Sequence, residues 1–301
     1  MLAHKDVLLD GMVAVVTGGG QGIGEGVARN FAAFGARVVV ADKNEAQADR
    51  VADLVTESGG EALAVRCDIR NRDDVERLFD EVAGTFASTD ILVNNAGGVR
   101  RASFLDLGVE GWRKHIDLNL YGVLHPTELA ARQMIAAGRG GSVINIASIE
   151  AVRAAPFRSV YGACKAAMLS LTQTLALEFA EHGIRVNAIA PDTVVTPGMG
   201  FDRPEFRDRL AAPLASYVPA GGPGDPDDIA GACVYLASRL GRYTTGATLH
   251  VDGGTWAAAG WTKDDHGRWE TFQGLADLGD AASRRPARSG TATSRVTSVE
   301  E

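Results

Sequence analysis

MVAVVTGGGQGIGEGVARNFAAFG, residues 12–35, carries the fold class of this chain. Met12 to Thr17 is an apolar, β-branched run of strand length, and Gly18-Gly19-Gly20-Gln21-Gly22-Ile23-Gly24 follows at once. From Gly26, apolar residues recur at Val27, Phe31 and Phe34 with helical spacing until Gly35 stops the pattern. Strand, glycine turn and helix make the first half of a dinucleotide-binding unit. The glycines let the backbone turn tightly and approach a pyrophosphate, and the helix N-terminus offers unpaired N–H groups at the positive end of its dipole. The spacing is Gly18-x-x-x-Gly22-x-Gly24, with no strict G-x-G-x-x-G in any register, and a plain strand-to-helix turn also uses glycines.

The next strand, Arg37 to Ala41, ends on Asp42, eighteen residues after Gly24. A carboxylate there accepts hydrogen bonds from ribose hydroxyls and repels a 2′-phosphate, which favours NAD over NADP. Lys43 beside it either softens that preference or is a solvated lysine at a helix start. A helix over about Glu45 to Glu57 and a strand over Ala62 to Cys67 lead to Asp68, which either faces the adenine or caps a helix. Asp90 to Val93 reads as a strand running into Asn94-Asn95-Ala96-Gly97-Gly98, a tight turn whose amides brace neighbouring strands while its backbone passes a ligand. A long helical pattern then holds Trp112, Ile116 and Leu120, with Asn119 inside it. Asparagine competes for backbone hydrogen bonds in a helix, so Asn119 implies a capping or water-bridging role, or else a tolerated surface position.

Most of the chemistry gathers in SIEAVRAAPFRSVYGACK, residues 148–165. Val143 to Ala147 reads as a buried strand that delivers Ser148, and Tyr161 and Lys165 follow four residues apart at the start of a helix running to about Glu181. Positions i and i+4 share a helix face, so phenol and ammonium sit side by side. A tyrosine titrates near ~10 when left alone, and an adjacent cation lowers that value toward useful acid–base work. Ser148 would hold the oxygen that gains or loses the proton. The bland alternative is a half-buried tyrosine and a surface lysine on an ordinary helix.

A strand from Ile184 to Ala190 leads to Pro191-Asp192-Thr193-Val194-Val195-Thr196-Pro197. Residues 198–224 break the alternation with Gly, Pro, charge and scattered apolar residues, as expected of a lid over a site. A helix from Pro226 to Ser238, a strand at Thr248 to Val251 and the turn Asp252-Gly253-Gly254 finish the unit. Six or seven strands alternating with helices predict an α/β fold, a doubly wound parallel sheet of the Rossmann type. The boundaries expected are a lead-in over 1–10, one domain over 11–254, an aromatic extension over 255–279 and a disordered tail over 280–301. Trp256, Trp261, Trp269 and Phe272 are too many aromatics to leave exposed, so the extension should pack on this subunit or a neighbour.

Among 301 residues, 46% are hydrophobic and 23% charged, as in an ordinary soluble enzyme, and the net charge of −8 argues against a nucleic-acid partner or an anionic membrane. Cys67, Cys164 and Cys233 form no metal-ligand pattern and read as buried free thiols, so no metal is expected. The chain has no 18-residue apolar run, and the apolar stretch of MLAHKDVLLDG is too short for a signal peptide, which together predict a cytoplasmic protein.

With these residues in place, the chain resembles the short-chain dehydrogenase/reductase family from about residue 10 to 254. It carries Thr17-Gly18-x-x-x-Gly22-Ile23-Gly24, Asn94-Asn95-Ala96-Gly97, Asn119, Ser148, Tyr161-x-x-x-Lys165 and Val251-Asp252-Gly253-Gly254 in family order. The resemblance implies a nicotinamide cofactor, NAD given Asp42, and oxidation or reduction at a hydroxyl or carbonyl carbon of a small alcohol or ketone. By analogy Tyr161 is the acid–base residue, Lys165 lowers its pKa and holds the nicotinamide ribose, Ser148 binds the substrate oxygen, and Asn119 holds a water in a proton relay reaching Lys165. The cofactor contacts it implies are Gly18, Gln21, Gly22, Ile23, Gly24, Asp42, Asp68, Asn95, Ala96, Gly97, Pro191, Thr193, Val194 and Thr196, together with Tyr161 and Lys165. A homotetramer is the family expectation.

One departure is Asp192, where the family usually has glycine after the proline; it places a carboxylate near the expected nicotinamide site. Pocket walls are expected from Gly98-Val99, Ile149-Glu150, Arg153, Phe157, Asp192-Thr193 and the lid. Arg153 or Arg158 would hold a substrate carboxylate or CoA phosphate, or else be solvated. Two other readings stay open: an NADPH-dependent 3-oxoacyl thioester reductase, which Asp42 disfavours, and a non-catalytic NAD(H)-binding sensor.

Overall fold

The structure is a computed structural model and describes residues 1–200, 203–264 and 266–271. Seven parallel strands form one sheet: β1 (Val13–Thr17), β2 (Arg37–Asp42), β3 (Glu61–Arg66), β4 (Ile91–Asn94), β5 (Gly141–Ile146), β6 (Ile184–Pro191) and β7 (Thr248–Val251), in the spatial order β3-β2-β1-β4-β5-β6-β7. The chain winds outward from β1 to β3, then returns to the other side of β1 at β4. The crevice at that reversal, beyond the carboxyl ends of β1 and β4, is where doubly wound sheets bind ligands.

Strand period 2 sorts the core into two layers. Ala14 and Val16 of β1, Val38 and Val40 of β2, Ile91 and Val93 of β4 and Ile144 of β5 face one side. There they meet Val27 and Phe31 of α1 (Gly22–Ala33) and Ile229 and Cys233 of α8 (Pro226–Ala237). Val13, Val15, Val39, Leu92 and Val143 face the other side, against Leu78, Phe79 and Val82 of α3 (Arg72–Phe86) and Ala130 and Met134 of α5 (Gly122–Ala137). The remaining helices before the lid are α2 (Glu45–Glu57), α4 (Phe104–Ile116) and α6 (Ser159–Glu178).

A buried polar ladder fixes the register of the central strands. Asn94 and Asn145 are partners across β4 and β5, and the Asn94 amide donates to Asn145 Oδ1 at 2.8 Å and to Thr127 Oγ1 at 2.9 Å. Asn145 in turn donates to Thr172 Oγ1 of α6 at 2.9 Å. A one-residue slip would bury these amides unpaired, at about 1–3 kcal/mol each.

Several boundaries depart from the expected ones. The stretch between Asp68 and Asp90 forms α3, capped by the Asn71 side chain. α1 starts at Gly22 and not Gly26, with Gly22 itself still in the positive-φ region of the turn at φ +57°. Asn119 is not in a plain α-helix: a π-helical turn over Asp117–Tyr121 joins α4 to α5. The 198–224 segment contains a helix, α7 (Pro204–Tyr217), with Pro213 inside it.

Past Gly254, α9 (Thr255–Ala258) and a hairpin of β8 (Thr262–Lys263) and β9 (Trp269–Glu270) fold back toward the lid, where Lys263 Nζ donates to Pro219 O at 2.8 Å. Trp256 stacks on His250, yet Trp256, Trp261 and Trp269 each keep more than two-fifths of their surface exposed in the single chain. Phe272 and the expected tail over 280–301 lie outside the described residues.

Candidate active site

Close backbone approach builds the glycine turn. Gly18 sits at φ +62°, and a Cβ there would lie 2.9 Å from Ala96 Cα. A Cβ on Gly24 would lie 2.1 Å from Gly18 O and 2.6 Å from Asn95 Nδ2, so α1 reaches the turn only with glycine at that position. Asn95 pins the turn by donating from Nδ2 to Thr17 O and Gly18 O, both at 3.0 Å. Thr17 Oγ1 answers by accepting the N–H groups of Asn95 and Ala96. Gly24→Ala should therefore lower stability by about 1–3 kcal/mol, since backbone rather than a flexible side chain must give way. Thermal unfolding checks this, and a wild-type Tm would contradict it.

The N-cap residue of α1, Gln21, makes no side-chain capping bond, so the first-turn N–H groups of a 12-residue helix open toward the cleft. Asp42 ends β2 with both carboxylate oxygens engaged: Oδ2 accepts Gly20 N–H at 3.1 Å and Oδ1 accepts Asn44 N–H at 2.9 Å. Asp68 pairs with Arg70, whose guanidinium holds the carboxyl below its usual range.

At the other end, Ser148 follows β5 and Tyr161 lies on α6, and both line the cleft. Lys165 Nζ lies 5.8 Å from the centre of the Tyr161 ring and donates to Ile146 O at 2.6 Å. Burial pushes the phenol up to about 12; the Ser148 hydrogen bond pulls it down, and the nearby Glu150 carboxylate adds to the rise. Burial also brings the Lys165 ammonium down to about 8. The phenol rises where its lysine was expected to lower it, because desolvation dominates both groups and the ammonium is spent on a carbonyl. Tyr161 is thus a protonated phenol here, suited to donate.

Asn119 is fully buried. Its Oδ1 accepts Gly98 N–H at 3.1 Å, and Nδ2 donates to Gly98 O and His115 O, both at 3.0 Å. It braces the loop after β4 beside Lys165: a Cβ on Gly97 would lie 3.1 Å from Asn119 Oδ1 and 3.5 Å from Lys165 Nζ. His115, which the sequence reading passed over, completes this brace. Its Nδ1 bonds Gly111 O at 2.8 Å and its Nε2 accepts Arg100 N–H at 3.1 Å, so the neutral ring carries its hydrogen on Nδ1. Its position four residues before Asn119 was the available signal.

One cleft brings together Gly18, Gln21, Gly22, Ile23, Asp42, Asp68, Asn95, Ala96, Gly97, Ser148, Tyr161, Lys165, Pro191, Val194 and Thr196. Gly24 and Asn119 stand behind its wall. Thr193 does not line it: that residue faces a second depression with Gly224, His250 and Trp256, and its carbonyl accepts Gly224 N–H at 2.9 Å. Of the expected pocket walls, Gly98, Val99, Asp192 and, from the lid, Met199 line the cleft, whereas Ile149, Glu150, Arg153 and Phe157 do not. Arg158 is paired with Glu150, and Arg153 with Asp192, so neither arginine is a solvated or free anion-binding group.

Comparison with known proteins places these features among relatives. A family model described as enoyl-(acyl carrier protein) reductase matches residues 18–255. L-Rhamnose 1-dehydrogenase (NAD(P)(+)) of Azotobacter vinelandii is 40% identical over 252 residues, which cover 82% of this chain and 98% of that protein. A short-chain type dehydrogenase/reductase from Mycobacterium marinum superposes with a TM-score of 0.77 at 35% identity, covering 83% of this chain and 97% of the other. 7 alpha-Hydroxysteroid dehydrogenase complexed with NADH and 7-oxo glycochenodeoxycholic acid superposes with a TM-score of 0.78 at 35% identity, covering 84% and 98%.

Proposed function

The chain belongs to the short-chain dehydrogenase/reductase family, and from that premise we propose that it moves a hydride between NAD(H) and a secondary alcohol or ketone, with Tyr161 handling the hydroxyl proton. The observation that carries this reading is that Ser148, Tyr161 and, one turn along, Lys165 line the same cleft as the glycine turn.

The residues present fit a nicotinamide dinucleotide. Gly18 and Gly22 hold positive φ where a Cβ would crowd Ala96 or Thr196, and the uncapped start of α1 suits a pyrophosphate. Asp42 would take the adenosine ribose, with Asp68 toward the adenine, and Asn95 to Gly97 and Pro191 to Thr196 would flank the nicotinamide end. When bound, the dinucleotide supplies the hydride acceptor or donor and, if oxidised, a positively charged ring. Ser148 orients the substrate oxygen and Tyr161 Oη carries its proton. Lys165 brings positive charge toward both, and Asn119 keeps the Gly97–Gly98 backbone in place beside the ammonium. General acid–base catalysis of this kind contributes about 10²–10⁴-fold, and positioning supplies much of the rest. An NAD-reduction screen over cyclic, steroidal, sugar and hydroxyacyl alcohols tests the reading. NADH binding with no turnover across that panel and both cofactors would leave only the sensor.

The NAD preference rests on Asp42, whose charge repels a 2′-phosphate, and on Arg70 being tied to Asp68. Asp42→Asn, which keeps an acceptor for Gly20 N–H, should raise the NADP-to-NAD ratio of kcat/KM by roughly 10–100-fold. An unchanged ratio would remove Asp42 from the argument.

Homo-oligomers, tetramers on the family resemblance, belong to the same reading. They would cover the exposed apolar side chains Phe104, Leu105 and Val109 of α4 and Leu177 of α6. Among the described residues no helix is long and apolar enough to cross a membrane, and a cytoplasmic location is part of this proposal.

A further inference from the structure

Asp192 is set where a substrate passes. Ile146 of β5 and Ile189 of β6 are register partners, and Ala147 N–H bonds Ile189 O at 2.7 Å. Ser148 and Asp192 therefore leave the ends of adjacent strands, which lie about 4.8 Å apart, and both line the cleft. The Asp192 side chain is only 11% exposed. Its Oδ2 is fully subscribed: Tyr217 Oη donates to it at 2.7 Å and Arg153 Nη2 at 3.2 Å, with the guanidinium lying 5.7 Å over the Tyr217 ring. Among the described residues Oδ1 receives only the Thr193 hydroxyl, at 3.5 Å, which leaves strong acceptor capacity on a carboxylate held rigidly from three directions.

That arrangement discriminates between substrate classes. An apolar ring pressed against Oδ1 would strip water from a carboxylate and give nothing back. A substrate anion would meet like charge, and both nearby arginines are already engaged by Asp192 and Glu150. A neutral substrate with a hydroxyl beside the reacting carbinol would donate to Oδ1.

We propose that Asp192 is the specificity-determining residue of this site, accepting a hydrogen bond from a second substrate hydroxyl, and that the substrate is a neutral polyol such as a cyclic sugar or cyclitol. The inference rests on the dehydrogenase reading above and names the substrate class of the same site. No covalent step is added: Asp192 remains a carboxylate that orients the ring.

The test is a matched panel on the full chain with NAD: cyclohexanol, cis- and trans-cyclohexane-1,2-diol, and gluconate as the anionic polyol, each with wild type, Asp192→Ala and Asp192→Asn. Fluorescence titration with NADH shows that each variant is folded; if Asp192→Ala is not, the Asn variant alone carries the comparison. Wild type should favour one diol isomer over cyclohexanol by about 10–100-fold in kcat/KM, as a hydrogen bond to a charged group implies. Asp192→Ala should erase that preference, mainly through the KM of the diol, bringing the diol-to-cyclohexanol ratio of kcat/KM to within a few-fold of one. Equal rates on diol and cyclohexanol, a preference that survives Asp192→Ala, or faster turnover of gluconate would each overturn the inference and leave the dehydrogenase reading standing. No turnover of any alcohol by wild type, with NADH bound, would overturn both.

Discussion

Replacing Tyr161 with phenylalanine should lower kcat by about 10²–10⁴-fold while leaving NADH affinity within a few-fold of wild type. The variant removes one oxygen from a ring that keeps its place on α6, so the glycine turn, Asp42 and the start of α1 are untouched. What is lost is the phenol oxygen, the route by which α6 moves a proton to or from the substrate oxygen in this mechanism. Stopped-flow or steady-state rates against an NADH titration separate the two effects. Turnover within tenfold of wild type would move the proton chemistry to another group and end the assignment. With burial holding the phenol up at about 12, alcohol oxidation, which draws on the deprotonated phenol, should rise with pH more steeply than ketone reduction does.

Lys165→Met should trade activity for alkaline behaviour in a way that sets this lysine apart. The ammonium is buried, and its pKa is brought down from 10.5 to about 8. Below about pH 8 the native and unfolded states are both protonated, and the native state bears the full cost of the buried charge. Between pH 8 and 10.5 the unfolded chain binds the extra proton, so stability rises with pH, by about 3 kcal/mol over the window. Cys67, Cys164, Cys233 and Tyr161 act in the opposite sense above their ordinary values, because burial raises each of them. Those groups are common to both proteins, and of them Cys164 feels the lysine charge, so the difference between wild type and Lys165→Met reports the lysine together with its effect on Cys164. Urea midpoints at pH 7, 8, 9 and 10 should show wild type gaining on the variant as pH rises, while the variant loses turnover by about 10²-fold or more. Because Met also leaves Ile146 O without its donor, the slope against pH, not the value at one pH, is the quantity to compare. Parallel curves would mean that Lys165 is not the buried cation described here.

The sequence made local features legible. Helix α2 falls where Asn44 can cap it and where Ala48, Val51 and Val55 recur on one face, and β7 falls where four residues sit between turn signals. The unbroken apolar runs of β1 and β2 fit two buried faces, because a parallel strand covered by helices has no polar side. The lid was harder: α7 carries Pro213 and little apolar periodicity, and its structure depends on contacts made by Leu214 and Val218 with the chain around Val195. Asp192 was recognisable as a departure, but its partners lie 25 and 39 residues away, at separations no local pattern reports. Thr193 faces away from the cleft that Asp192 and Val194 line, because neighbouring residues in extended backbone face opposite ways, a phase that spacing alone does not set. The protonation of Tyr161 depends on burial, which spacing along a helix does not contain.

The π-helical turn at Asp117–Tyr121 ties the integrity of the core to that of the chemistry. One additional residue per turn is a phase slip of about 100° between α4 and α5. Upstream of the slip, Leu107, Gly111 and His115 face inward; downstream, Val123, Ala130 and Met134 do. Were the slip ironed out by losing a single residue, a continuous helix could keep only one of these two inward faces. Asn119 sits at the join, so drift in chain length there is barred twice over: by the apolar layer under the sheet, and by the loop that Asn119 holds beside Lys165.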